Sequence, residues 1–279
     1  MTAQIVFAKL DSRALIQVSG PDWRGFLQGL LTQDVETLAQ GETRFAALLA
    51  PQGKLLFDLF VTGTGEDGCL VDVAAARRDA LVQRLTIYRL RAKVEIKRVE
   101  TPVVALWPAP ARAPGGGWIA DPRLQALGYR GHGLEPPAGA VLVDESAYHR
   151  HRLTLGVPDP DQDCPSDTTY PIEANFDLLH GIDFQKGCFV GQETTSRMKR
   201  RGMIKNRMLP ITLEGEAPAF GAEVLAGERR AGEVLSGQAG RAMALLRLDR
   251  IEGAALSVDG RAAKVERPAY LGETVIAAT

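Results

Sequence analysis

The texture of the chain changes once, near Asn206, and that change constrains the fold more than any single motif. Upstream, apolar residues recur with both the helical and the strand period. Downstream, short alternating runs at 209–213, 233–236, 242–248, 255–258 and 262–267 are separated by glycine breaks. Evenly spaced short strands with turn signals describe a small all-β barrel or sandwich. A domain boundary therefore falls near Asn206. The length agrees, because 279 residues exceed what one compact core commonly holds.

Upstream, residues 16–18 read as a short strand stopped by Gly20 and Pro21, with Ser19 or Asp22 placed to cap a helix. Trp23, Phe26, Leu27, Leu30 and Leu31 then share one helical face. Runs 45–49 and 55–61 flank Pro51-Gln52-Gly53, a hairpin turn signal. In the second run Leu55, Phe57, Leu59 and Val61 share one face, and Leu56, Asp58 and Phe60 the other. Asp58 thus sits between apolar neighbours, at a sheet edge in water or in a lined pocket. The edge is the simpler reading, since Asp is seldom buried without a partner. A strand at 69–73, a helix at 75–90 with Leu81, Leu85 and Tyr88 on one face, and a strand at 91–99 follow. Antiparallel hairpins in this order predict an α+β sheet rather than a parallel doubly wound one.

The stretch 108–137 is rich in proline and glycine and reads as long loops. Gly115-Gly116-Gly117 is not a phosphate loop, because no Lys-Ser/Thr follows. A helix is expected at 144–155, capped by Asp144; its His149 and His151 are two apart and do not face one metal.

Hydrophobic residues at 45% and charged residues at 24% are globular proportions. A net charge of −1 supplies no global field for nucleic acid or an acidic membrane, so such binding would need a local patch. Aromatic content of 6% argues against a protein built on base stacking. Cys69, Cys164 and Cys188 form no CxxC pair, which argues against a disulfide scaffold and for a reducing compartment. The first residues show no basic region followed by an apolar run, and no apolar stretch approaches the roughly 20 residues of a spanning helix. A soluble, cytoplasmic protein with no membrane partner is expected.

Chemistry concentrates in residues 170–201. If Gly191-Gln192-Glu193 opens a helix, Cys188 lies just before its N-terminus, and the helix dipole and Lys186 both favour thiolate. The alternative is a small buried residue, the ordinary fate of a free cysteine. Arg197, Lys199, Arg200, Arg201, Lys205 and Arg207 follow, with no acid from Thr194 to Leu213. Such a run is a solvated basic face, or an anion site for a carboxylate tail or a phosphate backbone.

KGCFVGQE, from Lys186 to Glu193, resembles the signature of the folate-binding YgfZ family, which has a mitochondrial branch acting in iron–sulfur protein maturation. GFLQGLLTQDV, APQGKLLFDLFV, YRLRAKVEI and PIEANFDLLHGIDF agree with it, in order, and GEVLSG and RAMALLRL resemble the barrel of the glycine-cleavage T-protein. The resemblance implies an α+β fold, a three-domain T-protein-like cloverleaf around a central folate channel, with a C-terminal β-barrel. Residues 1–100 would form a folate-binding domain interleaved with a second α+β domain at 101–205, and 206–279 the barrel. Tetrahydrofolate is the implied cofactor, with Lys186, Gln192, Glu193, Arg152 and Arg197 as folate-binding residues and Cys188 and Asp58 as the catalytic ones. The implied function is maturation or repair of iron–sulfur proteins, tRNA-modifying enzymes included, with iron–sulfur enzymes or assembly factors as partners. The alternative is a folate-dependent aminomethyltransferase or other one-carbon transferase.

Two departures from the T-protein argue against that alternative. Its Gly-Gly-Ile-x-Asp-Asp-Leu segment corresponds to Gly53 through Leu59, where Phe57 replaces one acid and only Asp58 remains. Its Arg-Leu-Glu-Ala-Gly segment resembles Arg152 through Gly156, with Thr154 in place of the glutamate. The register leaves open whether Phe57 or Asp58 holds the catalytic position. Cys188 is compatible with attack, ligation or redox sensing, and one thiol does not hold a cluster alone.

Overall fold

The computed structural model describes residues 4–110, 113–165, 167–202 and 204–272. Strands Val6–Lys9 (β1) and Arg13–Ser19 (β2) precede a short helix, Trp23–Gln28 (α1). Thr43–Leu49 (β3) and Leu55–Gly65 (β4) form the expected hairpin, followed by Gly68–Ala74 (β5), helix Arg78–Arg89 (α2) and Glu95–Val99 (β6). These build a first sheet in the order β3-β4-β5-β2-β6. Val103–Trp107 (β7), Ile119–Ala120 (β8), Tyr129–His132 (β9) and Val141–Leu142 (β10) form a second sheet in the order β10-β1-β7-β9-β8. The N-terminal strand β1 thus joins strands from beyond residue 100.

Helices Glu145–Thr154 (α3), Pro160–Asp163 (α4) and Gln192–Arg201 (α5) lead to the change of texture. Beyond it, Asn206–Leu213 (β11), Glu223–Ala226 (β12), Arg229–Gln238 (β13), Arg241–Arg247 (β14), Leu256–Val258 (β15) and Arg261–Val265 (β16) close into a six-stranded barrel. Its interior is lined by Leu209, Val224, Val234 and Leu246.

The first sheet separates two cores. Its outer face packs on Trp23, Leu27, Leu81 and Leu85 of α1 and α2. Its inner face carries Phe45, Ala47 and Phe60 against Phe176, Phe189 and the barrel residues Met208 and Met243. The simple alternation expected along β4 fails at its start, because the register shifts between Leu48 and Leu49. That bulge turns Leu56 to the outer core beside Phe57 and leaves Leu55 with Phe60 inside. Asp144 caps α3 as expected, accepting from Ser146 N at 2.8 Å. Asp22 precedes α1, but its side chain accepts instead from Lys93 N at 2.7 Å, tying α1 to the turn before β6.

Candidate functional site: an ionic centre and an exposed thiol

Asp58 lies on β4, between β3 and β5, and is only 5% exposed. The sheet-edge reading is thereby corrected: the partner that makes burial tolerable is Arg13, too distant in sequence to be read as a neighbour. Arg13 Nη1 donates to Asp58 Oδ2 at 2.8 Å and its Nε to Asp72 Oδ1 at 2.7 Å. The other Asp72 oxygen accepts from Arg130 on β9 at 2.5 Å. Arg123 grips Asp121 through Nε at 3.0 Å and Nη2 at 2.8 Å, and reaches Tyr148 Oη on α3 at 2.9 Å. Arg152, also on α3, donates to Asp163 Oδ2 at 2.7 Å and to Ser236 Oγ of the barrel at 2.8 Å. The guanidinium of Arg130 lies 3.9 Å from the centre of the Phe60 ring. One lattice of arginines and aspartates therefore joins both sheets, α3, α4 and the barrel. Burial alone would raise the Asp72 and Asp121 carboxyls; the adjacent arginines outweigh it and hold both below the usual carboxylate range.

The lattice nearly fills the centre. A cavity of about 20 Å³ remains among Arg13, Asp58, Arg123, Arg152 and Asp159, room for about one water. A wider hollow of about 690 Å³ shares Glu145 and His149 with it and is bordered by Asp11, Asp144 and Lys9. These residues do not fit tetrahydrofolate. A bicyclic pterin needs far more than the space of one water. Most of the polar groups that would meet it are already bonded to one another, Arg13 to Asp58 and Arg123 to Asp121 among them, and of the buried side-chain polar atoms described there only Arg152 Nε lacks a hydrogen-bond partner. The acids at the hollow oppose an anionic glutamate tail. Thr154 is exposed, its hydroxyl bonded to Arg150 O at 2.9 Å, and Phe57 packs in the outer core. Of the two candidates in β4, it is Asp58 that faces the centre.

The signature segment lies elsewhere. It crosses the loop after α1, with Asp183 N bonded to Thr32 O at 2.9 Å and Val190 N to Gly29 O at 3.2 Å. Lys186 Nζ donates to the carbonyls of Gln28, Leu31 and Gln33 at 2.8, 2.7 and 2.8 Å. Carbonyls at a helix end lack intrahelical partners, and a lysine there satisfies them. Burial pulls the Lys186 ammonium down to about 8. All three of its donors are spent on main chain. Phe189 buries into the inner core, and Cys188 is left exposed. Cys69 and Cys164 are buried, and burial pushes the Cys69 thiol up to about 12 and that of Cys164 well above its ordinary value.

Gly191, at φ 81°, turns the chain into α5. Gln192, Glu193 and Arg197 line an open groove of about 520 Å³ along that helix with Ser196 and Arg200, and Arg197 is ion-paired with Glu193. The expected site residues thus fall in three places. Asp58 and Arg152 lie in the lattice, Lys186 lies beneath the signature loop, and Cys188, Gln192, Glu193 and Arg197 lie on or beside the start of α5. The basic run is also dispersed: Arg207 is buried on Asp177 at 2.9 Å and 3.0 Å, and Lys199 reaches the same carboxylate at 3.2 Å. Sequence reasoning missed Arg13, Asp72, Asp121, Arg123 and Arg130. Asp72 carried a signal, an acid within the apolar strand GCLVDVA. Among the described residues no group of three or more His, Cys, Asp or Glu is arranged to hold a metal.

Residues 8–112 match the family model of the GCVT N-terminal domain, and residues 205–273 that of the CAF17 C-terminal beta-barrel domain. The structure superposes on the glycine cleavage system aminomethyltransferase T of Bartonella henselae with a TM-score of 0.76, over 96% of this chain and 86% of that one, at 19% identity. The fold is therefore aminomethyltransferase-like, α+β with a C-terminal six-stranded barrel. The chain is 33% identical to human iron-sulfur cluster assembly factor IBA57, mitochondrial, over 88% of its own length and 78% of the relative's. It is 34% identical to the Neurospora crassa homologue over 77% of its length, spanning 56% of that longer protein. The chain belongs to the IBA57 family of iron–sulfur cluster assembly factors. These relatives are named as mitochondrial, which overturns the cytoplasmic expectation. Cysteine usage and charge report on redox state and solubility, and neither separates these two compartments.

Proposed function

We propose that this protein serves the maturation of iron–sulfur proteins, with Cys188 as the residue that meets the cluster. The observation that carries the reading is the setting of Cys188: an exposed thiol on a loop pinned by Lys186 to three carbonyls and by Phe189 to the core. A cluster is ordinarily held by four cysteines, so one exposed thiol leaves the remaining ligands to another molecule. The partners in this reading are iron–sulfur enzymes or assembly factors, tRNA-modifying enzymes among them. The names of the relatives, which are cluster assembly factors, support it. Asp58, already paired with Arg13, acts in positioning the sheets rather than in chemistry. Folate takes no part in it, because the centre does not fit the group.

The test is complementation of cells lacking the protein, read as the activity of a cluster-dependent enzyme. Cys188→Ser is expected to fail while keeping the wild-type melting temperature. Full restoration of enzyme activity by Cys188→Ser overturns the reading.

A further inference from the structure

A second basic segment stands apart from the signature loop. From Ala80 to Val94 there is no acid, and the segment holds Arg84, Arg89, Arg91 and Lys93. At its margins the charges are neutralised: Arg78 pairs with Glu100, Arg98 with Asp79 and Lys97 with Glu95. Among the described residues, the side chains of the four inner cations have no ion pair or hydrogen bond. Between them stand two aliphatic residues in water, Ile87 at 71% exposure and Leu90 at 88%.

Leu90 is held there against its own preference. It occupies the C-cap of α2 with φ 45° and ψ −104°. A positive φ at a helix end is the place for glycine, because a Cβ crowds the backbone. A leucine strained at this cap and exposed to water adds no packing to the core, and strain of this kind marks functional positions.

We propose that the end of α2 and the turn after it bind an anionic membrane surface peripherally. Ile87 and Leu90 enter the boundary between headgroups and acyl chains, and Arg84, Arg89, Arg91 and Lys93 meet the acidic headgroups. Aliphatic tips flanked by lysine and arginine are the pattern of interfacial binding. An acidic protein fits less well, because the most exposed apolar residue of the patch is Leu90, and leucine is under-represented among protein hot spots. Among the described residues no helix is long and apolar enough to cross a membrane, so the association lies on the surface. It supplies the local patch that a net charge of −1 requires, and it stands independently of Cys188.

The experiment is flotation of the full chain with vesicles of phosphatidylcholine alone and of phosphatidylcholine mixed with phosphatidylglycerol. Wild type is expected to float only with the anionic vesicles, less so as salt is added. Leu90→Gly should lower partitioning about tenfold, the loss of one inserted side chain, while raising the melting temperature because the strain is relieved. Arg89→Glu with Arg91→Glu should abolish flotation. Failure of wild type to float overturns the proposal, and so does flotation unchanged in both variants. Retention on immobilised polyglutamate without vesicle binding would assign the patch to an acidic protein and overturn it equally.

Discussion

Gly53, at the tip of the β3–β4 hairpin, packs against Gly191, the residue that opens α5: a Cβ on Gly191 would fall 3.0 Å from Gly53 Cα and 2.7 Å from Ala50 O. A Cβ on Gly53 would in turn fall 2.9 Å from Thr194 Cβ. Both residues have positive φ, 84° and 81°. The last glycine of the signature and the turn glycine of the hairpin therefore form one joint. It positions the start of α5, and so the loop bearing Cys188, on the first sheet.

Gly191→Ala should accordingly cost about 1–3 kcal/mol, combining a strained φ with a clash against main chain. Urea denaturation measures it. An unchanged midpoint would mean the joint is slack.

Cys188 should be the one thiol that iodoacetamide labels in the folded protein. Burial raises both other thiols and hides them from the reagent. Peptide mass mapping after brief labelling reads this, and equal labelling of Cys69 or Cys164 would contradict the packing around them.

Asp72 is the node of the lattice, accepting from Arg13 and Arg130. Removing one partner of a buried ion pair leaves an uncompensated charge, so Asp72→Asn should cost about 3–5 kcal/mol. Asp58→Asn, which releases Arg13 from one of two acids, should cost less. Chemical denaturation of the two variants, compared with wild type, tests the order.

The same lattice sets the acid limit of stability. Asp72, Asp121 and Asp159 are held below the ordinary carboxylate range, with arginine pairing outweighing burial. Their unfolded forms bind protons first, so their contribution is complete above about pH 4 and is lost as pH falls through the folded values. Melting temperature should be level near neutrality and fall steeply below that point, with a shallower fall in Asp72→Asn. An equal slope in that variant would place the acid sensitivity elsewhere.

Tetrahydrofolate titrated into the protein should give no saturable heat, whereas a T-protein gives a binding curve under the same conditions. A single-site curve abolished by Asp58→Asn would show that the lattice opens.

Much of this molecule was legible one segment at a time. The barrel follows from short runs and glycine breaks beyond Asn206, and the hairpin from Pro51 and Gly53, because turn chemistry and side-chain period are local properties. The octapeptide at Lys186 by itself points to iron–sulfur maturation through its resemblance to a known signature. The roles within it were not legible. Lys186 stands beside Cys188 in sequence, yet its ammonium belongs to Gln28, 158 residues away. Asp58 read as a solvated edge because Arg13, 45 residues distant, is invisible to a local pattern. Arg152 read as a ligand for folate, and it bonds Ser236, 84 residues on. Burial, charge pairing and the volume left at the centre arise only when remote segments meet. The period of a sequence selects which face of a strand or helix turns inward, and only the packed chain decides what that face meets.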